Sequence, residues 1–155
     1  MPSFDKPDQT LSTPFGKWQY LHSTKNTQFQ GYTFAHESLP EEDWTDGTGK
    51  VTQEKILQSG EVLAKITSGP DAGKVGVFQL GATDGRQTLA NLVGVNDTFA
   101  PWQLKQRDIE VAALYHGVVK QGWIWIRDAT GARIPAPDNV ADALRGTKGL
   151  DILCK

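Results

Sequence analysis

The sequence predicts a mainly β protein: a small β-rich domain with one short helix near its C-terminus, preceded by an extended N-terminal arm. Three observations carry this. Short apolar/polar alternations bounded by turn residues run through residues 59–95 and resume after them. A single helix signature, with a capping residue at one end and glycine at the other, stands near residue 140. Residues 1–51 hold turn residues and scattered aromatics without a comparable series of strands. The domain boundary is therefore expected near residue 51, with the arm at 1–51 and the β-rich domain at 52–155.

Taken in order, residues 1–16 are polar and carry Pro2, Pro7 and Pro14, so an extended or disordered segment is expected. Phe15, Trp18, Tyr20, Phe29, Tyr32 and Phe34 follow among polar neighbours, and residues 28–34 alternate loosely, like a strand without a partner. These aromatics have two readings. They pack back onto the chain's own domain, or they sit on an arm that docks on another molecule, since aromatics bring large buried area to interfaces. An extended arm can also add a strand to a foreign sheet edge. Residues 39–50 read as turn material, ending in Asp46-Gly47-Thr48-Gly49.

Within the domain, Val62, Ala64 and Ile66 alternate with Lys65 and Thr67, and Gly69-Pro70-Asp71-Ala72-Gly73 is a turn. Residues 75–80 form the next strand, Asp84-Gly85 the next turn, and residues 89–95 the third strand. A loop at 96–107 carries Phe99 and Trp102. Residues 108–119 alternate again, with Gly117 marking a bulge or bend. Residues 122–127, Gly-Trp-Ile-Trp-Ile-Arg, read as a strand covered on both faces, with Trp123 and Trp125 on one and Ile124 and Ile126 on the other. Asp138 reads as an N-cap, 139–145 as a helix with Val140, Ala143 and Leu144 inward, and 150–154 as a last strand.

The composition suits one domain able to bury its own core: 155 residues, 38% hydrophobic and 22% charged. A net charge of −2 gives no bulk pull toward nucleic acid or an anionic membrane. One cysteine, Cys154, makes no internal disulfide, and no apolar run approaches the roughly 20 residues of a membrane span. The N-terminus lacks the apolar stretch of a secretory signal, so synthesis in the cytoplasm is expected.

Familiar chemistry fails on spacing. Gly73-Lys74 resembles the end of a phosphate-binding loop, but Ser68 stands where its first glycine belongs and Val75 where its hydroxyl belongs. Residues 43–54 have the length of a calcium loop, but Gly47 takes a ligand position and Thr48 the required glycine position. His22, His36 and His116 lack metal-ligand spacing, and Glu41-Glu42-Asp43 reads as a solvated turn. No nucleophile elbow is present. The chain is therefore read as non-enzymatic, with no cofactor or metal. Trp102, in its loop, is the leading candidate for a sugar-stacking platform, whereas Trp123 and Trp125 read as core or subunit interface.

The series Gly60-Glu61-Val62-Leu63-Ala64-Lys65-Ile66, Ala82-Thr83-Asp84-Gly85, Leu92-Val93-Gly94-Val95, Gly122-Trp123-Ile124 and Gly149-Leu150-Asp151-Ile152-Leu153 resembles the head decoration proteins of lambda-like tailed bacteriophages over about residues 60–155. The resemblance implies a cement protein without enzymatic activity or cofactor. It would bind the outside of the expanded capsid as homotrimers at threefold and quasi-threefold positions, with an N-terminal arm on the major capsid protein. It implies no nucleic-acid or membrane partner. The first 51 residues are longer and more aromatic than a minimal arm of that family. Phe15, Trp18, Tyr20, Phe29, Tyr32 and Phe34 are the inferred arm contacts; Phe99, Trp102, Trp123 and Trp125 are candidate subunit or capsid contacts. Deleting residues 1–51 is expected to leave a folded domain. The alternative is a carbohydrate- or receptor-binding module on a virion surface.

Overall fold

The computed structural model describes residues 17–45 and 47–155. Among these residues ten strands and one α-helix follow in chain order: β1 (Leu21–Phe34), β2 (Glu42–Thr45), β3 (Val51–Glu54), β4 (Val62–Lys65), β5 (Val75–Val77), β6 (Leu92–Asn96), β7 (Ile109–Val119), β8 (Trp125–Arg127), β9 (Arg133–Pro135), α1 (Asp138–Gly146) and β10 (Asp151–Cys154). The protein is mainly β, with its helix near the C-terminus, as the sequence predicts.

Strands β4, β5 and β6 do not form the meander that their succession in the chain suggests: β4 lies between the other two and is antiparallel to both, with Leu63 opposite Val77 on one side and Gly94 on the other, so the chain crosses over β4 on its way from β5 to β6. β6 then pairs with β7, and β7 pairs along nine positions with β1, from Leu21 opposite Val119 to Phe34 opposite Ile109. Phe34 also meets Val75 in a parallel pairing, and the next amide, Ala35 N–H, donates to Val75 O at 2.9 Å. The strand order β1-β5-β4-β6-β7 thus returns to β1 and closes a five-stranded barrel. β10 adds in parallel to β7 beyond the end of β6.

Closure divides the apolar residues into two clusters. Phe34, Leu39, Leu57, Leu63, Val75, Val77, Ala100, Leu104, Val111 and Ala113 fill the barrel. Val62, Ala64, Val95, Leu114 and Val119, on the opposite strand faces, meet Ile124, Ile126 and the helix residues Val140 and Leu144 outside it. This explains why Val62, Leu63 and Ala64 are all fully buried although they alternate along one strand: both faces of β4 are covered.

Several expectations are corrected. Residues 17–45 are not an arm: β1 is a barrel strand, and Trp18, Tyr20 and Phe34 are 1%, 1% and 0% exposed. The boundary near residue 51 falls inside an antiparallel hairpin, β2–β3, which pairs Glu42 with Glu54 and Thr45 with Val51. Residues 1–16, including Phe15, lie outside the described residues. The strand expected at 122–127 begins as a 3-10 turn, Gln121–Trp123, so only Trp125–Arg127 pairs as β8. Residues 89–91 are likewise a 3-10 turn ahead of β6. The strand at 75–80 splits: Phe78 N–H still donates to Val62 O on β4 at 2.8 Å, but the Phe78 carbonyl accepts from Arg127 N–H, and Leu80 N–H donates to Arg127 O on β8. In α1, Pro137 rather than Asp138 occupies the N-cap, and Asp138 accepts from Gln121 Nε2 at 2.8 Å. Its inward stripe is Val140, Ala141 and Leu144, with Ala143 at the margin.

Candidate binding surfaces

The aromatics expected to reach outward divide sharply. Trp18 is held by both backbone groups: its N–H donates to Gln58 Oε1 at 3.1 Å and its carbonyl accepts from Ser59 Oγ at 2.8 Å. Its ring meets Trp123 edge-on at 6.2 Å and Trp125 at 5.5 Å, with the Arg133 guanidinium 5.5 Å from its centroid. Tyr20 donates its hydroxyl to Asp97 at 2.7 Å, and burial first, then the Asp97 carboxylate, pushes the phenol far above its ordinary range. Phe34 lines the barrel. Tyr32 packs against the same inner cluster and is partly buried. Phe99 is half-buried beside β6. The pair Trp123 and Trp125 forms an aromatic cluster with Trp18 rather than a free platform.

Beneath this cluster lies a buried ionic group that sequence reasoning missed. Glu61 is fully buried, and its Oε1 accepts from Arg127 Nε at 2.7 Å and from Arg133 Nε at 3.3 Å. Arg133 continues to Glu42 at 2.9 Å, and both arginines donate to the carbonyl of Ile56. Burial alone would raise the Glu61 pKa; the two guanidinium groups, with hydrogen bonds from Arg127 and the Gln58 amide, hold it below the ordinary carboxylate value. The group ties the residue that leads into β4 to β8, β9 and β2. Nothing in an alternating strand marks an arginine as inward-facing, so no sequence signal announced it.

A second polar cluster joins β7 to β1 and β5. Asp108 accepts from Lys74 Nζ at 2.6 Å and from the His36 backbone N–H at 2.9 Å, and it lies 2.5 Å from His36 Nδ1. The hydrogen bond from Lys74, then those from His36, hold its carboxyl well below the usual range. His36 Nε2 faces Glu37 at 2.9 Å. His116 bonds Asn26 O at 2.7 Å. Both histidines are thus engaged by neighbouring carboxylates or carbonyls. Cys154 lines a groove of about 530 Å³ with Asp138, Asp142 and Arg145. Burial, then the Asp142 carboxylate, pushes its thiol up to about 11, so it is protonated and a poor nucleophile at neutral pH.

Two features face outward. The first is the outer edge of β1. Ala112 directs its backbone groups away from β1: its N–H donates to Thr98 Oγ1 and its carbonyl accepts from Asp97 N–H. Ala112 lies opposite Gly31. By antiparallel alternation, the N–H and C=O of Gly31 and of Thr33 therefore point off the edge opposite β7. Beyond the closing contact at Phe34–Val75, that edge has no strand partner among the described residues. Phe29, 41% exposed, stands on it. Such an edge carries Pro or clustered charge when it is guarded against pairing, whereas residues 26–34 contain neither.

The second is Trp102, 59% exposed, beside a cleft of about 470 Å³ lined by Glu54, Gln103, Lys105, Gln106 and Arg107.

No protein-family model, curated protein or solved structure matches this chain.

Proposed function

We propose that this protein is a non-enzymatic decoration protein that binds the outer surface of an expanded phage head. In this reading it sits as trimers at threefold and quasi-threefold positions and cements the shell, with the major capsid protein as its partner. The sequence series around residues 60–155 supports the family. The observation that carries the mode of attachment is the free edge of β1. Gly31 offers a main-chain donor and acceptor, and Thr33 a donor, along a strand that is paired to β7 at nine positions, and strand addition needs little more than such an edge and a side chain to seat beside it. Phe29 supplies that side chain. The contact therefore lies on a barrel strand, not on a flexible arm, and its ordering entropy is already met by the fold. Three such edges on one trimer would act together, and linkage of this kind raises avidity by roughly 10²–10⁴-fold.

The test is co-sedimentation with expanded, undecorated shells and with unexpanded procapsids. Saturable binding to expanded shells alone is the expected result. Gly31→Pro removes an outward amide without touching the β7 ladder, so it should leave the fold intact and weaken shell binding by at least about tenfold. Equal binding by Gly31→Pro and the parent protein would move the contact elsewhere. Binding to neither particle would remove the decoration reading.

A further inference from the structure

We propose that the cleft beside Trp102 binds a saccharide carrying a carboxylate, with the sugar ring stacked on the indole and the carboxylate held by Arg107. The site is distinct from the β1 edge and does not depend on the decoration reading.

The first argument is rigidity. Trp102 is exposed, yet its chain neighbours are anchored: Pro101 is buried and Leu104 is fully buried in the barrel cluster. The 3-10 turn Gln103–Lys105 closes on it through Lys105 N–H to Trp102 O at 3.3 Å. Gln103 Oε1 accepts from the Trp102 N–H at 3.2 Å. The backbone that carries the indole is thus fixed while the ring stays uncovered, so binding needs no ordering of the main chain beneath a stacking platform.

The second argument is the chemistry of the rim. A tryptophan at the centre of a protein contact sits in surroundings depleted of charge. Here every other residue lining the cleft is polar or charged. A pyranose matches such a site, since it offers one C–H face to an aromatic ring and hydroxyls around its perimeter to amides and charged groups. The cleft volume lies in the range of small-ligand sites.

The third argument is charge. Lys105 is already engaged: its Nζ donates to Gln53 O at 2.8 Å and lies 3.8 Å from Glu54 Oε1. That pairing offsets the one carboxylate on the rim. Gln106 and Arg107 make no side-chain hydrogen bond among the described residues. Among the described residues Arg107 is therefore the cation of the rim without a partner, and its planar fork suits a carboxylate.

Saturation-transfer NMR on the full chain tests this with sialyllactose, a hyaluronan tetrasaccharide and trigalacturonate, and with lactose as the uncharged counterpart. Transfer to at least one acidic sugar is expected. Trp102→Ala should weaken that binding by about tenfold or more, while its circular dichroism stays unchanged because the ring is exposed. Arg107→Gln should weaken the acidic sugar severalfold and leave lactose unaffected. No transfer to any of the acidic probes, or an unaltered affinity in Trp102→Ala, would overturn the proposal. Equal binding of lactose and sialyllactose, with Arg107→Gln silent, would overturn the assignment of the carboxylate to Arg107.

Discussion

Glu61 is the residue whose chemistry the fold depends on most directly. It is fully buried between two arginines, and no water can screen a loss of its charge. Glu61→Gln keeps the shape but leaves Arg127 and Arg133 with Glu42 alone, so a loss on the order of 3 kcal/mol is expected in a denaturant titration. The same group sets a pH dependence. Its folded pKa is depressed, so the stabilisation it contributes is present above the unfolded value of about 4.3 and is lost as pH falls through the lower, folded value. Stability should therefore drop in acid for the parent protein. The Glu61→Gln variant should lack that part of the slope; parallel curves for the two would show that another carboxylate sets it. Trp18 belongs to the same scale. Burying a tryptophan among Trp123, Trp125 and Arg133 predicts a loss of about 3–5 kcal/mol for Trp18→Ala. In the sequence, Trp18 stands between Lys17 and Gln19, which reads as surface. Its burial is decided by Gln58 and Ser59, some forty positions away.

At the scale of elements, β6 is bent at Val93 and Gly94, where the register to β4 shifts by one residue. Gly94 has φ +146°, and a Cβ built there would stand 2.2 Å from Leu114 O on the neighbouring strand. Gly94→Ala is expected to cost roughly 3 kcal/mol or more in thermal unfolding, since the obstacle is backbone and cannot swing aside. Gly122→Ala, which meets nothing within 4 Å, is the matched control and should stay within about 0.5 kcal/mol. Elements with local signals were legible: the strands β4, β5 and β6, the Asp84-Gly85 turn, β7, the helix and β10 follow from alternation and punctuation alone, whereas the order β5-β4-β6, in place of a meander, does not. The β2–β3 hairpin was not. In the sequence Asp46-Gly47-Thr48-Gly49 has strong hairpin chemistry, but the strands are four residues each, with three of the four polar in both, so no alternation separates them from loop.

At the scale of the whole molecule, what sequence reading could not supply was the partner of β1. The loose alternation at 28–34 is visible, but pairing Tyr32 with Val111 joins positions 79 apart, and no local pattern encodes that distance. Closure of the barrel turns the supposed arm into one of its walls, and this changes what truncation should do. Removing residues 1–51 takes away the nine-position partner of β7, the contact that closes β1 on β5, and Phe34 and Leu39 from the barrel interior. It also strips Trp18 and Tyr20 from the outer clusters. The remaining 52–155 fragment should show no cooperative unfolding transition and should be cut rapidly by a protease. A chain beginning at Lys17 retains every contact described above and should unfold cooperatively. A cooperative transition in the 52–155 fragment would mean that β4, β5, β6 and β7, with the helix, are stable without a fifth wall, and that β1 is an addition to the fold rather than the strand that completes it.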